Sequence, residues 1–147
     1  MVSQLDMKKE AQSLLKFHDN FASDKNQRIT FPRPFYATPS VLIESFEPGI
    51  SISKLTDLNM KDNLTSSSSS PSSSSTLHTF SDIKELKRNI AHSGLEGLLS
   101  MIFYHNFIHG DLHPGNILLR PRGSNSKTEI KDYFNSDYEL VFIDGGI

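Results

Sequence analysis

The stretch His109-Gly110-Asp111-Leu112-His113-Pro114-Gly115-Asn116-Ile117-Leu118-Leu119 decides how the rest of this sequence is interpreted. It follows a segment with helical periodicity and ends in an apolar run that is typical of a short buried strand. The Pro-Gly pair within it favours a turn. We therefore expect Asp111 and Asn116 to converge at one end of the hairpin that the apolar run opens.

A second apolar run, Leu140 to Ile143, predicts the partner strand, and Asp144 follows it directly beside two glycines. The polar segment between the runs, Pro121 to Glu139, predicts a long hairpin loop. Asn116 and Asp144 would then present an amide oxygen and a carboxylate, the hard ligands preferred by a Mg²⁺ ion that bridges phosphates. Asp111 would accept a hydroxyl proton or orient a nucleophile. The order H-x-D-x-x-x-x-N, strand pair, D-x-G matches the protein-kinase signature.

Two other interpretations of the same loop stay open. His109, Asp111 and His113 alternate in sequence and could lie on one strand face as a zinc or iron site, which would indicate a metal hydrolase. Against this, Pro114-Gly115 would end such a strand, and no second ligand-rich segment exists in the sequence. A turn with a purely structural role is the other alternative.

The first helix is predicted over residues 3–22, with Ser3 as its N-cap. Its apolar arc contains Met7, Ala11, Leu14, Leu15, Phe17 and Phe21. Glu10 falls inside this arc, where a carboxylate is unfavourable unless a cation meets it. In kinases a helix glutamate pairs with a strand lysine that holds the nucleotide phosphates. The alternative for Glu10 is a position at the edge of a surface helix.

The remaining segments indicate an α+β chain. Residues 31–36 are expected to be extended because of their prolines, and residues 41–46 to form a strand that ends at Glu47-Pro48-Gly49. A serine-rich patch lies within residues 59–79, which we interpret as a disordered insertion. Residues 81–106 predict a long core helix with Ser81 as its N-cap. Its expected core positions are Ile83, Leu86, Ile90, Leu98, Leu99, Ile102 and Phe103.

Composition excludes several classes of protein. The chain of 147 residues has no cysteine, which excludes disulfide scaffolds, thiolate metal sites and cysteine nucleophiles. A net charge of -2 gives no electrostatic indication of nucleic-acid binding. We expect no transmembrane segment, because no apolar run approaches the ~20 residues that a span needs. The first ten residues carry no recognisable targeting signal.

Three segments resemble the UbiB/aarF-domain (ADCK-like) atypical kinase family. Residues 4–11 (Gln-Leu-Asp-Met-Lys-Lys-Glu-Ala) resemble its acidic helix motif. Residues 41–50 (Val-Leu-Ile-Glu-Ser-Phe-Glu-Pro-Gly-Ile) are similar to its hinge strand. Residues 107–116, followed by Asp144-Gly145-Gly146, resemble its catalytic loop and metal-binding tripeptide.

The resemblance implies a role for each matched residue. Glu10 would be the partner of the phosphate-binding lysine and Asp111 the catalytic-loop acid. Asn116 and Asp144 would bind Mg²⁺, and the hinge Ser45, Phe46 and Glu47 would meet adenine. The cofactors would be ATP and Mg²⁺, with a lipid or small molecule as acceptor. Ubiquinone biosynthesis and a mitochondrial location are implied only through the family.

The resemblance also implies an incomplete protein-kinase-like fold, with only the helix C equivalent, hinge strands, helix E equivalent, catalytic loop and metal-binding hairpin. Residues 1–58 would end the N-lobe, residues 59–79 would be the insertion, and residues 80–147 would begin the C-lobe. The lysine-bearing strand should precede Glu10, and position 145 is glycine where many kinases carry an aromatic residue.

Two other functions stay open beside an ATPase or phosphotransferase. Aminoglycoside and choline kinases have a similar catalytic loop, so a small-molecule phosphotransferase is one alternative. A pseudokinase or interaction module is the other, and we expect no phosphoryl transfer from this chain alone because the lysine clamp is missing.

Overall fold

The computed structural model describes residues 6–22, 28–55, 80–122 and 137–145, with only the backbone at residues 80–82. The predicted insertion, residues 59–79, lies outside them, so the three-part division of the chain stays a prediction. The two long helices are α1 (Met7–Phe21) and α2 (Phe80–Phe103), and residues 52–55 are also helical. The described residues also form six strands: β1 (Ile29–Thr30), β2 (Pro34–Ala37), β3 (Leu42–Glu44), β4 (Ile50–Ser51), β5 (Ile117–Pro121) and β6 (Tyr138–Phe142).

The strands form two sheets, which confirms the mixed α+β class. The larger sheet has the order β1-β6-β5-β4, and the smaller one pairs β2 with β3. β5 and β6 are antiparallel from Ile117↔Phe142 to Pro121↔Tyr138. The predicted loop 121–139 is therefore too long: Pro121, Tyr138 and Glu139 belong to the strands. β1 adds to β6 in parallel, through Ile29↔Leu140 and Thr30↔Val141.

Helix α1 begins later than the sequence predicts. Asp6 is its N-cap, with an extended backbone and a side chain that accepts a hydrogen bond from Lys8 N at 3.1 Å. The assignment of Ser3 as the cap is therefore wrong. The buried side of α1 includes Leu14 and Phe17, each 0% exposed, whereas Leu15 is 49% exposed and does not belong to the core.

Helix α2 packs on the larger sheet through a face that the sequence identifies only in part. Its buried side chains include Leu86, Ile90 and Met101, whereas Leu99, Ile102 and Phe103 are exposed. The face is shifted because Gly97 lets the helix backbone approach Ile29 on β1, and hydrophobicity alone does not register a glycine contact. Ser81 lies inside the helix rather than at its N-cap. Neither helix, over the residues described, has the length and apolar character required to cross a bilayer.

The core joins α1 to the hairpin that carries the predicted site. Phe17 stacks on Phe31 with ring centroids 4.6 Å apart, and Phe31 meets Phe142 of β6 edge-on at 5.8 Å. Aromatic pairs of this kind contribute about 0.5–1.5 kcal/mol beyond the burial of their area. Helix α1 and the end of β6 are thereby held together.

Candidate active site

The β5–β6 hairpin determines where the candidate site lies. Asn116 ends a single 3₁₀ turn, Pro114–Asn116, directly before β5, and Asp144 follows β6 by two residues. Because the strands are antiparallel, the start of β5 and the end of β6 meet at the same end of the hairpin. Ile143 N donates to Asn116 O at 2.9 Å, which fixes this approach.

The side chain of Asn116 connects the two predicted acids. Its Nδ2 lies 3.4 Å from Asp111 Oδ2 and 3.5 Å from Asp144 Oδ2. The same nitrogen donates to the Asp111 carbonyl at 3.2 Å, and Asn116 is 9% exposed. The structure therefore brings Asp111, Asn116 and Asp144 together around one point. Two carboxylates that converge on a donor group form a locus of negative charge that suits a cation.

Asp144 has a backbone conformation that is unusual for a residue with a side chain. Its φ is 63°, in the left-handed region that favours glycine. Such residues persist where the surroundings impose the conformation, and they are frequent at functional sites. Here the bonds of Ile143 to Asn116 and to His109 hold the preceding residue on both sides.

His109 is a buried link that fixes the catalytic loop. Its Nδ1 accepts from Asp111 N at 3.2 Å, so the other ring nitrogen carries the proton and Nε2 donates to Ile143 O at 3.3 Å. Burial lowers the pKa of His109, against smaller opposing contributions from the Ile143 hydrogen bond and from Asp144 and Asp111. The imidazole is therefore neutral at pH 7. Both of its ring nitrogens are occupied by the backbone.

The transition-metal interpretation of His109, Asp111 and His113 is wrong. His109 has no free nitrogen for a metal, and His113 Nδ1 accepts from Gly115 N at 3.0 Å. His113 is exposed, whereas His109 is 3% exposed, so the two do not share a face. Among residues 6–22, 28–55, 80–122 and 137–145, no group of three histidines or acids is arranged to hold a metal.

Glu10 lies close to the acids of the site rather than to a cation. Partial burial and then the charge of Asp144 raise the pKa of Glu10. Burial, followed by the charges of Glu10, Glu47 and Asp144, raises the pKa of Glu44. Within the part of the chain that is described, no Lys or Arg pairs with Glu10. The site is thus a cluster of carboxylates that a cation or a cationic side chain would stabilise.

Gly145 shows why the tripeptide has glycine at its middle position. A Cβ at Gly145 would lie 3.0 Å from Leu14 Cδ2 and 3.1 Å from Leu14 Cγ. Since Leu14 is fully buried, helix α1 occupies the space that an aromatic side chain at position 145 would need. This departure from the common kinase pattern follows from the position of α1.

The predicted hinge residues follow β3, and their groups differ in availability. Ser45 N donates to Arg33 O at 2.9 Å, so this amide is not free for a base. The Glu47 carboxylate accepts from Ser45 Oγ and contacts Arg120. Phe46 is 85% exposed and has no hydrogen bond to any described residue. Of the three, Phe46 is the residue whose backbone and ring are open to a planar ligand.

Comparisons with known proteins identify the family of this chain. The ABC1 atypical kinase-like domain matches residues 1–147. The chain belongs to the ABC1 atypical kinase-like family. The resemblance to the UbiB/aarF-domain kinases is confirmed at this level.

Relatives in the ABC1 family cover nearly all of this chain. It is 34% identical over 137 residues to the probable serine/threonine-protein kinase abkC of Dictyostelium discoideum, with 91% of this chain covered. It is 31% identical over 139 residues to a mitochondrial ABC1 family protein of Schizosaccharomyces pombe, with 93% covered. The chain spans 16% of the length of each of these relatives.

A solved structure supports the same architecture. The erythromycin complex of Rv3197 from Mycobacterium tuberculosis superposes with a TM-score of 0.51 at 19% identity. It covers 97% of this chain, which corresponds to 26% of its own length. At this identity the likeness concerns the fold alone, which is consistent with a kinase-like arrangement of these elements.

Proposed function

We propose that this chain provides the phosphate-binding and metal-binding part of an ABC1-family domain that binds ATP with Mg²⁺ and acts as an ATPase or phosphotransferase. The observation that carries the proposal is the convergence of the carboxylates of Asp111 and Asp144 on the amide of Asn116. Protein kinases hold their magnesium ions with a catalytic-loop Asn and a later Asp, the order in which Asn116 and Asp144 occur in this chain.

The donor set fits a magnesium ion. Asn116 now directs its Nδ2 at both carboxylates, and a rotation of the amide would direct its oxygen there instead. Asp144 and Asn116 would then supply oxygen ligands, the type that Mg²⁺ prefers. When bound, the ion would neutralise charge on the phosphate oxygens.

The other residues of the site would act on the acceptor and on the loop. Asp111, exposed beside His113 with 3.7 Å between Asp111 Oδ2 and His113 Nε2, would accept the proton of an attacking hydroxyl or water. His109 would keep the Asp111 backbone in place through its Nδ1. Glu10 would hold a cationic side chain next to the phosphates, since it already faces the negative charge of Asp144.

The base of the nucleotide would lie against residues 45–47. The exposed ring and unbonded backbone of Phe46 support this placement. A lipid or small molecule as acceptor, a link to ubiquinone biosynthesis and a mitochondrial location belong to the proposal through the family. The name of the Schizosaccharomyces pombe relative supports the mitochondrial location.

Calorimetric titration with ATP, with and without Mg²⁺, tests the proposal. We expect binding that strengthens at least about tenfold with Mg²⁺, which is about 1.4 kcal/mol, and a loss of this gain in Asp144→Asn. The matched control is Asp19→Asn, because Asp19 is an exposed acid on α1. Binding that ignores Mg²⁺, or an Asp144→Asn variant that behaves like the control, would refute the proposal.

A further inference from the structure

Arg120 lies on β5 between carboxylates from two other parts of the chain. Its guanidinium contacts Glu47, which follows β3, and its Nε donates to Glu139 Oε1 of β6 at 2.5 Å. The side chains of Arg120, Glu47 and Glu139 are only 16%, 11% and 18% exposed. An arginine can hold two carboxylates at once because its donors point in several fixed directions.

The segment 45–51 is fastened to the hairpin by further contacts. The second oxygen of Glu47 accepts from Ser45 Oγ at 2.5 Å. A Cβ at Gly49 would lie 2.9 Å from Leu118 Cβ and 3.0 Å from Leu119 O, so only glycine allows the backbone to pass so close to β5. Directly after Gly49, β4 pairs with β5 through Ile50↔Leu119.

The same hairpin carries the two proposed metal ligands at one end. Asn116 precedes β5, and Asp144 follows β6. Arg120 lies three residues along β5 from Ile117, opposite Glu139 on β6. A continuous chain of contacts therefore runs from residues 45–47 through Arg120 into the hairpin and on to Asn116 and Asp144.

We propose that Arg120 is a positioning residue that fixes the spacing between segment 45–47, which would contact the base of a nucleotide, and the Asn116–Asp144 pair, which would hold its phosphates through Mg²⁺. This inference rests on the function proposed above. Arg120 itself would contact neither the base nor the phosphates of the nucleotide. A ligand that spans two subsites gains affinity from both only if the distance between the subsites is already correct. A ligand that occupies one subsite binds with an affinity that does not depend on that distance.

The test compares a whole nucleotide with its two halves. NMR titrations measure the binding of three ligands to the wild-type chain and to the variant Arg120→Lys. The ligands are adenosine alone, ATP with Mg²⁺ and tripolyphosphate with Mg²⁺. Lysine keeps the positive charge between the two acids but lacks the fork that bridges them. We expect affinity for MgATP to fall about tenfold, while the affinities for adenosine and for magnesium tripolyphosphate each change less than about twofold.

A second variant and a matched control accompany this test. Gly49→Ala pushes segment 45–51 off β5 without altering a charge, and we expect the same selective loss. Arg122→Gln is the control. Arg122 directly follows β5, is more exposed than Arg120 and forms an ion pair with Asp137. This control variant should bind all three ligands like the wild type.

The outcomes separate the inference from the proposed function. If Arg120→Lys and Gly49→Ala bind MgATP like the wild type, or lose all three ligands equally, Arg120 does not set the spacing and the inference is overturned. If the wild-type chain itself does not bind MgATP, the proposed function fails first. An Arg120→Lys variant that does not fold leaves Gly49→Ala to decide.

Discussion

Nε2 of His109 donates to the carbonyl oxygen of Ile143 at 3.3 Å, and this bond ties the catalytic loop to the residue directly before Asp144. The other ring nitrogen accepts from the amide of Asp111. One neutral imidazole thus links the backbones that carry both candidate acids. The positions of Asp111 and Asp144 are therefore linked through hydrogen bonds to the main chain.

The stability of the fold should fall as the pH is lowered below about 6.5, the ordinary pKa of histidine, because burial lowers the pKa of His109 in the folded chain. The unfolded chain then binds the proton more readily. The contribution is fully present above the unfolded pKa and is lost as the pH falls through the folded pKa. Urea unfolding at pH 7.5 and 5.5 measures it.

The variant His109→Phe isolates this histidine. At pH 7.5 it should be less stable by about 2 kcal/mol, because two partly buried backbone groups lose their hydrogen-bond partner. The difference in stability from the wild type should shrink at pH 5.5, because protonation of His109 in the unfolded wild-type chain lowers the stability of the wild type there. The exposed His92→Phe serves as control, with a change below about 0.5 kcal/mol. An equal deficit at both pH values would contradict the assignment of His109 as the buried neutral link.

Replacing Glu44 by glutamine should stabilise the fold at pH 7.5. Burial and the neighbouring charges of Glu10, Glu47 and Asp144 raise the pKa of Glu44. Its Oε2 is buried without a hydrogen-bond partner among the described residues. A group with a raised pKa gives its stability below the unfolded pKa, near 4.5, and loses it as the pH rises through the folded pKa.

Chemical denaturation of Glu44→Gln against the wild type therefore has a defined sign. The variant should be more stable at pH 7.5, and its advantage should vanish near pH 4.5. Glu85→Gln, an exposed substitution on α2, should show neither effect. A Glu44→Gln variant that is less stable than the wild type at pH 7.5 would show that the charged carboxylate has a favourable partner.

Two glycines of α2 should respond to alanine with opposite signs. A Cβ at Gly94 would meet only Leu140 Cδ1, at 3.9 Å, whereas a Cβ at Gly97 would collide with Ile29 Cδ1. Gly94→Ala should stabilise by about 0.5–1 kcal/mol, the usual gain within a helix. Gly97→Ala should destabilise by about 1–2 kcal/mol through overpacking. Thermal melts compare the two, and equal shifts would contradict the close packing of α2 on β1.

The sequence predicts which residues form the site more completely than it predicts the strand pairing around them. The sequence indicates that Asp111, Asn116 and Asp144 meet, because in an antiparallel hairpin the residues before the first strand and after the second strand lie at the same end. The pairing of β1 with β6 could not be expected, since a strand of two residues has no periodicity to detect.

Packing details depend on contacts that hydrophobicity does not encode. Met101 rather than Phe103 is buried, because Gly97 determines which side of α2 approaches the sheet. Asp6 rather than Ser3 caps α1, although both residue types suit an N-cap. The sequence does not indicate the role of Arg120, because its two partners are distant in sequence, and one of them, Glu139, lies in the predicted loop.

The most direct test of the central claim counts the cations bound at the three converging side chains. Mn²⁺ replaces Mg²⁺, and the amplitude of the free Mn²⁺ signal in electron paramagnetic resonance is recorded with and without ATP. The variant Asn116→Leu keeps a side chain of similar shape but removes the amide oxygen, and the exposed Asn89→Leu is its control. We expect Mn²⁺ binding that exceeds that of ATP alone in the wild type and in Asn89→Leu, and that is lost in Asn116→Leu. No such excess in the wild type, or undiminished binding in Asn116→Leu, would contradict it.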